Sequence, residues 1–529
     1  MDSTLFLVVT LLLSFSSIFV IPLLFGSNPN KKRCNVPEVA GAWPLIGHLP
    51  IYNTRQLTHV TLGALADAYG PIFATKLGSL RLLIISGHDI ARECYTVHDK
   101  SPTRPPLMAS KLVGYDHSFL TFCPYGPYWR ELRKLTITEL LSTYRLDMLE
   151  RSRVVEADIA FGDIYRRWEG NNKVVVDMSR EFHDLTANIS LMMLSGKRYF
   201  GESHTVEERE AKKCRKLVRD FRDYFGLYLF SDFLPGLGWL LDWPIKRAMK
   251  RTAKDFDEII ESWVAEHRMK KKDRDEDKDY LDLLIEFIER SKIPGLDAHK
   301  TIKALCLELV FATSETATVI LVWAVALLLN NPRTLKKARE ELDSVVGGKT
   351  RLVQESDIKD LVYIQAIVKE TFRLYPPVPF LSLRTVQEDF EIASGNYHVP
   401  VGTRLLVNAW KIQRDPSLWP DPDRFEPERF LAGQGKDVGL GGQSFKLLPF
   451  GMGKRSCPGI PLALRMLHYP LARFLHSFDL ATPSNQDVDM TETNGLVNNK
   501  ATPLSVLITP RLHPSLYYRV DHVTTTTTF

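Results

Sequence analysis

The chain has 529 residues, a formal net charge of +5, 44% hydrophobic residues and 25% charged residues. This is a globular composition, and the mild, dispersed charge does not indicate nucleic-acid binding. The length accommodates either about two to four average domains or one large enzyme core. Its cysteines show no paired spacing, which excludes a disulfide framework and indicates a reducing compartment; they are Cys34, Cys94, Cys123, Cys214, Cys306 and Cys457.

An uncharged, strongly apolar run extends from Leu5 to Phe25, and three basic residues follow at 31–33. As a helix rising about 1.5 Å per residue, this run is long enough to cross roughly 30 Å of hydrocarbon. A cleaved signal peptide is the alternative, but the run exceeds the usual length and no basic residues precede it. We therefore predict a luminal N-terminus and transmembrane anchor over residues 1–30, with the rest of the chain in the cytosol.

Composition divides the remaining chain into three parts. Residues 31–50 are basic and then rich in proline and glycine, which predicts a stiff, irregular hinge. Residues 516–529 lack a core-forming pattern and predict a disordered tail. Residues 51–515 show mainly helical periodicity, so we expect one mostly α domain with small β-sheets.

Two shorter segments have distinct patterns. From Ile72 to Ser86, apolar and β-branched residues surround Gly78-Ser79, which predicts a β-hairpin that turns at these two residues. From Lys270 to Asp279 every residue is charged, which predicts a solvated loop.

The stretch from Ala298 to Asn330 contains neither proline nor glycine, and Pro332 follows it. This predicts a single helix about 50 Å long at 1.5 Å per residue. Hydroxyl and carboxylate groups at 313–318 interrupt its apolar pattern, and burying them is costly unless they are hydrogen-bonded. The alternatives are a functional polar cluster and a polar face that contacts solvent.

Two residue pairs stand at helical spacing. Glu370 and Arg373 are three residues apart, and Trp129 and Arg133 are four residues apart. Each pair therefore shares one face of a helix. Glu370 and Arg373 can form a charge-assisted bond with each other, whereas Arg133 can pair with the carboxylate of a ligand. Such pairs are also common on exposed helices, so neither identifies a function by itself.

The segment from Phe450 to Gly459 sets Cys457 among glycines and basic residues, directly before an apolar helical pattern. Its glycines and Pro458 predict a tight loop that a flat ligand can approach closely. The helix N-terminus directs N–H groups at the sulfur, with Gly459 and Ile460 as expected donors, and favours a thiolate. A lone thiolate here suits the axial ligand of haem iron; the alternative is a buried apolar cysteine.

Taken jointly, Phe450, Gly453, Arg455, Cys457 and Gly459 resemble the haem-binding loop of the cytochrome P450 family. The resemblance runs from the anchor to about residue 515 and is closest to plant members, in particular family eighty-two. Its other motifs occur in the family's order: Trp129 and Arg133 of the WxxxR helix, residues 312–316 of the oxygen-activation segment, Glu370 and Arg373 of the ExxR motif, and Arg429 of the cluster that this motif joins.

The resemblance implies a cytochrome P450 fold that binds haem b. It assigns Cys457 as the axial iron ligand, places Phe450 beside the thiolate, and makes Glu315 a proton relay and Thr316 the oxygen-binding hydroxyl. Thr313 and Ala317 depart from the family pattern, which predicts an altered groove or a specialised reaction. The implied propionate contacts are Trp129, Arg133, Arg384 and Arg455.

This resemblance implies a monooxygenase that oxidises, and most simply hydroxylates, a lipophilic plant metabolite such as an alkaloid, a terpenoid or steroid, or a flavonoid. We expect a single-pass protein of the endoplasmic reticulum, with electrons passing from NADPH through a cytochrome P450 reductase, because the sequence has no nicotinamide fingerprint. The alternatives are a reductase-independent isomerase or dehydratase and a non-catalytic haem sensor or carrier. We expect a basic face for reductase docking at Arg130, Lys134, Lys446 and Lys454. The substrate pocket is expected to be lined by the segments 105–122, 221–230, 310–311, 378–383 and 495–497. Asp116, His117 and Ser382 are candidate polar anchors for the substrate.

Overall fold

The computed structural model of the chain describes residues 35–52, 56–99, 102–171, 173–202, 204–234, 238–269, 278–291, 293 and 296–518. The predicted anchor, the basic residues that follow it and residues 519–529 lie outside this range. So do residues 270–277 of the charged run.

Helices dominate the described chain, as predicted. The α-helices are α1 Leu49–Tyr52, α2 Thr58–Tyr69, α3 His88–Thr96, α4 Met108–Val113, α5 Pro127–Leu135, α6 Thr143–Met148, α7 Glu150–Glu169, α8 Met178–Ser195, α9 Glu208–Tyr224, α10 Phe230–Phe233, α11 Gly238–Leu241, α12 Trp243–Met269, α13 Tyr280–Arg290, α14 Ala298–Asn330, α15 Pro332–Val346, α16 Val362–Leu374, α17 Ala409–Ile412 and α18 Ile460–Ser477.

The strands form three small sheets. A five-stranded sheet has the order β1-β2-β8-β5-β3, a three-stranded sheet the order β4-β10-β9, and β6 pairs with β7. All strand pairs are antiparallel except the parallel pair β2 and β8. The strands are β1 Ile72–Leu77, β2 Leu80–Ile85, β3 Pro102–Thr103, β4 Val174–Asp177, β5 Arg384–Val386, β6 Phe390–Ile392, β7 Tyr397–Val399, β8 Arg404–Val407, β9 Phe478–Ala481 and β10 Ser505–Pro510.

The long helix predicted from Ala298 to Asn330 is confirmed with these bounds as α14. Its apolar residues surround the helix axis, and helices with this pattern are buried on all sides. Accordingly α14 packs against α8, α13, α16 and α18 in the core. It is also long and apolar enough to cross a membrane, but 78% of its most apolar stretch is buried within the protein.

The hairpin prediction is also confirmed, because β1 and β2 pair from Ile72↔Ile85 to Leu77↔Leu80 and turn at Gly78-Ser79. The end of the hinge docks on this turn: Trp43 and Gly47 bond each other through their backbones, and Gly47 bridges to Leu77.

Two predicted boundaries differ from the structure. Asp279, placed in the charged loop, is buried and caps α13, where it accepts bonds from the amides of Leu281 and Asp282. Tyr517, placed in the disordered tail, is buried and stacks on Tyr165 with ring centroids 4.2 Å apart. The first difference arises from a local helix cap, and the second from an aromatic contact with a distant helix.

Candidate active site

The loop around Cys457 takes the predicted form. The Cys457 amide donates to the Phe450 carbonyl at 2.8 Å, which closes the loop, and α18 begins at Ile460. The Gly459 amide donates to the Cys457 sulfur at 3.3 Å, as expected. Gly453 has φ +71°, and a Cβ there would lie 2.9 Å from an Asp99 carboxylate oxygen, so glycine is required.

The ionisation expected for Cys457 is wrong for this structure. Burial raises the pKa of its thiol, and the opposing Gly459 bond and Arg133 charge do not outweigh it. Cys457 nevertheless has an exposed side chain, whereas the other free cysteines in the described chain are buried. Protein therefore surrounds the sulfur without covering it, and a bound cation would have to deprotonate it.

Arginines from distant segments meet beside this loop. Arg133 on α5 donates to the Ser456 carbonyl at 2.8 Å, and Arg455 donates to the Cys123 carbonyl at 2.8 Å. Their guanidinium carbons lie 5.4 Å and 4.8 Å from the centroid of the Trp129 ring. The structure therefore brings the predicted residues of α5 and of the cysteine loop into one cluster.

Arg384 reaches the loop from β5. It pairs with Asp99 at 2.8 Å and donates to the Met452 carbonyl at 3.3 Å. Asp99 also accepts from the Lys454 amide at 2.8 Å. This carboxylate thus connects the strand to the loop and neutralises one arginine.

Sequence analysis missed Arg104, which follows β3. Burial and the nearby charges of Arg384 and Arg455 lower the pKa of Arg104 to about 9. Such mutual repulsion indicates that positive charge at this position exceeds the negative charge that faces it. The only sequence signal was an arginine ahead of two prolines, and it gave no indication of these neighbours.

The arginine cluster fits an anionic ligand. Buried guanidinium nitrogens without partners are costly, and carboxylates satisfy them best. The Nη1 atom of Arg455 and the Nε atom of Arg104 are buried and have no hydrogen-bond partner among the described residues. With Cys457 as a soft ligand for iron, the residues present therefore fit haem b and its two propionates.

Helix α14 presents an open face at its centre. Leu309, Ala312, Thr313 and Thr316 all retain accessible surface, although the residues around them are largely buried. Their spacing of three and four places them on one side of the helix. This face offers a small methyl and two hydroxyls to whatever lies against it.

The hydroxyls of this segment bond backwards to the helix. Thr316 donates to the Ala312 carbonyl at 2.8 Å, and Thr313 donates to the Leu309 carbonyl. The helix runs through this segment without interruption. Thr313 therefore stands in regular helix, and the neighbouring Ala317 is buried in the core.

Glu315 lies beside Thr316 in sequence but points to a different set of groups. Its side chain is 7% exposed, and its Oε1 and Oε2 atoms lie 3.4 Å from His183 Nε2 and 3.9 Å from Arg222 Nη1. Sequence analysis did not find these two partners, because they lie on α8 and α9.

A buried ionic network supports the loop from behind. Glu370 and Arg373 are fully buried and pair at 2.7 Å, and Arg429 joins Glu370 at 3.0 Å, as the motif order predicted. Gln413 connects this network to the loop, since its amide group donates to the Arg373 carbonyl and accepts from the Leu448 amide at 2.7 Å. The network is structural, because it lies behind the loop, and Glu370 and Arg373 have no accessible surface.

The sequence model of the cytochrome P450 family matches residues 37–507. The chain belongs to the cytochrome P450 family. It is therefore a monooxygenase of the class that binds haem b, takes electrons from NADPH through a reductase and combines O₂ with lipophilic small molecules.

Relatives that are similar over nearly the whole chain include plant cytochromes P450. A xanthotoxin 5-hydroxylase of Arabidopsis thaliana, CYP82C2, is 44% identical over 94% of this chain and 97% of the relative. A strychnine-10-hydroxylase of Strychnos nux-vomica is 43% identical over 98% of this chain and 100% of the relative. The fold matches a zebra fish cytochrome P450 with progesterone, with TM-score 0.70, 24% identity and coverage of 86% of this chain and 100% of the other.

Aromatic rings pack against α14 of this cytochrome P450 on the side that carries Phe311, away from its open face. Phe221 on α9 stacks on Phe311 of α14 with centroids 3.9 Å apart, and Phe119 lies 6.1 Å from Phe221. Phe122 and Phe225 extend the group, with centroids 5.3 Å apart. We call these five residues the phenylalanine roof.

The predicted pocket segments are only partly brought together. The segments at 105–122, 221–230 and 310–311 meet in the roof, and a Cβ at Gly226 would lie 2.3 Å from Leu496. Phe380 and Leu383 instead pack in a separate hydrophobic cluster around β1 and β2. Asp116 pairs with Lys300 of α14 at 3.5 Å, and the His117 ring bonds Ser110 within its own segment at 3.1 Å.

Proposed function

We propose that this cytochrome P450 hydroxylates a lipophilic plant specialised metabolite above a haem bound through Cys457. The observation that carries the proposal is the arginine cluster, with its buried unpartnered nitrogens, beside the exposed Cys457. The apolar roof favours a largely aromatic or polycyclic substrate, which would be held by contact area with few polar anchors. The names of relatives that hydroxylate xanthotoxin, strychnine and a flavonoid support this substrate class.

Each site residue then has one task. Cys457 ligates the iron, Phe450 and Gly453 shape its loop, and the arginine cluster with Trp129 holds the propionates. When bound, the haem supplies the iron that activates O₂. Thr316 would offer its hydroxyl to O₂ once it gives up its bond to Ala312, and Glu315 would supply protons.

The membrane orientation has support in the described chain. Trp43, Trp239, Leu240 and Trp243 are each 59–65% exposed. Both segments lie beside the β1–β2 turn, because Gly78 donates to the Ile46 carbonyl and Ser79 to the Phe233 carbonyl. An exposed apolar patch rich in tryptophan is typical of a membrane interface, so we assign it to the endoplasmic-reticulum surface next to the anchor.

Tryptophan quenching by brominated lipid checks this orientation. In vesicles carrying the full chain, we expect Trp239→Phe with Trp243→Phe to remove a large part of the quenched emission, because these rings reach the headgroup region. Trp323→Phe is the control, since Trp323 is fully buried and Phe keeps an aromatic ring there. Equal quenching in the double variant and the control would contradict the orientation.

We further propose that the reductase docks beside the cysteine loop. Arg130 and Lys454 flank the Tyr125 ring at 5.9 Å and 5.8 Å, and both are exposed, as is Lys134. Clustered cations steer an acidic partner to this face, and salt screens the attraction.

Product analysis tests the function. In microsomes with reductase and NADPH, a panel of plant alkaloids, flavonoids and terpenoids is tested as substrates. At least one is expected to yield a product that is one oxygen atom heavier and that carries the isotope supplied as labelled O₂.

Arg130→Glu with Lys454→Glu is expected to slow turnover at low salt and to match the unchanged protein at high salt. Product formed from a hydroperoxide without NADPH, and none with NADPH, would instead indicate an isomerase or dehydratase.

A further inference from the structure

The buried acid Glu315 has few routes to solvent. Among the described residues, the basic groups within 4 Å of its carboxylate are His183 on α8 and Arg222 on α9. Arginine does not release its proton in proteins near neutral pH. An imidazole gains and loses a proton in this range, so His183 is the neighbour able to pass one on.

His183 lies between Glu315 and the surface. Its side chain is 19% exposed, compared with 7% for Glu315. Its Nδ1 atom lies 3.4 Å from Asp184, which pairs at 3.7 Å with Arg180, a residue 75% exposed. The neutral Phe200 ring packs edge-on against the imidazole at 5.4 Å. Side-chain exposure therefore increases from Glu315 to His183 and Asp184, which are each 19% exposed, and again to Arg180 at the surface.

The position of His183 is fixed by the packing of two helices. One turn farther along α8 and α14, the hydroxyls of Thr186 and Thr318 lie 2.7 Å apart, and Thr186 also donates to the Ser314 carbonyl at 3.2 Å. These bonds hold the two helices in a defined relation. His183 consequently stays opposite Glu315.

We propose that His183 is the positioning residue through which Glu315 exchanges protons with solvent during turnover. The inference rests on the proposed role of Glu315. In the step, the Nε2 proton of the imidazolium passes to a Glu315 oxygen, leaving neutral imidazole and a neutral carboxylic acid. The ring then takes a proton back from solvent, so charge balances and no other reactant is needed.

The charges around the ring support a protonated resting state. Burial lowers the pKa of His183, but the bonds and charges of Asp184 and Glu315 outweigh it and raise the pKa to about 9. Product formed per NADPH should therefore fall as pH rises through this value. Because the folded pKa is raised, the stability that the ring contributes is complete below about pH 6.5 and lost as pH rises through about 9.

His183→Gln separates proton exchange from hydrogen bonding, because the glutamine amide places a donor near the Nε2 position but does not titrate. In the reconstituted holoenzyme, we expect product per NADPH to fall by about tenfold, less than the hundredfold or more typical of losing a general acid itself. The solvent deuterium isotope effect should rise. His204→Gln is the matched control, since His204 pairs with Glu208 on the surface at 2.5 Å and should change neither quantity.

Asp184→Asn provides a second variant that leaves the ring in place. Losing this carboxylate should lower the pH at which the amount of product formed per NADPH falls. Thermal unfolding of the holoenzyme gives a readout independent of activity. The stability advantage of the unchanged protein over His183→Gln should shrink between pH 6 and pH 10, and it should be smaller in a Glu315→Gln background, where Asp184 alone raises the pKa of the ring.

Two results would overturn the inference: His183→Gln with an unchanged pH profile and isotope effect, or Asp184→Asn with an unshifted pH midpoint. A failure of the proposed function is distinguishable, because the unchanged protein would then lack a thiolate-type spectrum or NADPH-dependent product.

Discussion

Replacement of Cys457 by alanine is expected to abolish the thiolate-type Soret band of the reduced protein with carbon monoxide. The variant removes the sulfur that the loop presents, and the remaining arginine cluster can hold propionates but cannot ligate iron. Turnover should fall by at least about a hundredfold, which is roughly 2.7 kcal/mol in activation free energy. The measurements are the difference spectrum and NADPH-dependent product formation.

Cys214→Ala is the matched control. Cys214 is a buried cysteine on α9 and donates no ligand to the site, so the variant should keep the Soret band. A normal spectrum in Cys457→Ala, or loss of the band in a folded Cys214→Ala protein, would contradict the ligand assignment.

Replacement of Arg373 by alanine is expected to prevent accumulation of folded, haem-bearing protein. The guanidinium bonds Glu370 and three carbonyls, those of Gln413 at 3.0 Å, Pro422 at 2.5 Å and Arg424 at 3.0 Å. Removing one partner of a fully buried ion pair costs about 3–5 kcal/mol, a large part of the stability of a domain.

Denaturant midpoints and haem content check this expectation. Arg373→Lys should not restore stability, because lysine cannot reproduce the planar, multiply bonded arrangement. Lys336→Gln is the control: Lys336 is 78% exposed and its pair with Glu340 lies on the surface, so its loss should not be measurable. An Arg373→Ala protein with normal midpoint and haem content would show that the network is dispensable.

Local patterns predicted the frame of this molecule well. The bounds of α14 followed from the absence of proline and glycine before Pro332, and the hairpin followed from Gly78-Ser79. The Glu370–Arg373 pair was predictable because both residues stand on one turn of a helix. In each case the determining interactions lie within a few residues of sequence.

Contacts between distant elements were not predictable in this way. No local pattern indicated that His183 contacts Glu315, or that Arg104 lies near Arg384 and Arg455, because these contacts depend on how helices and strands pack. The ionisation of Cys457 was misjudged for the same reason: the helix N-terminus was visible in the sequence, but the surrounding protein that raises the pKa was not.

The phenylalanine roof and the network around Gln413 differ in what they would tolerate during evolution. Ring contacts contribute through area, so exchanges that conserve volume cost little and still reshape the space beneath. The side-chain amide of Gln413 makes hydrogen bonds to the Arg373 carbonyl and the Leu448 amide, and its loss leaves these buried groups unsatisfied. Descendants of this enzyme can therefore acquire new substrates through a few roof substitutions while inheriting the frame beneath unchanged.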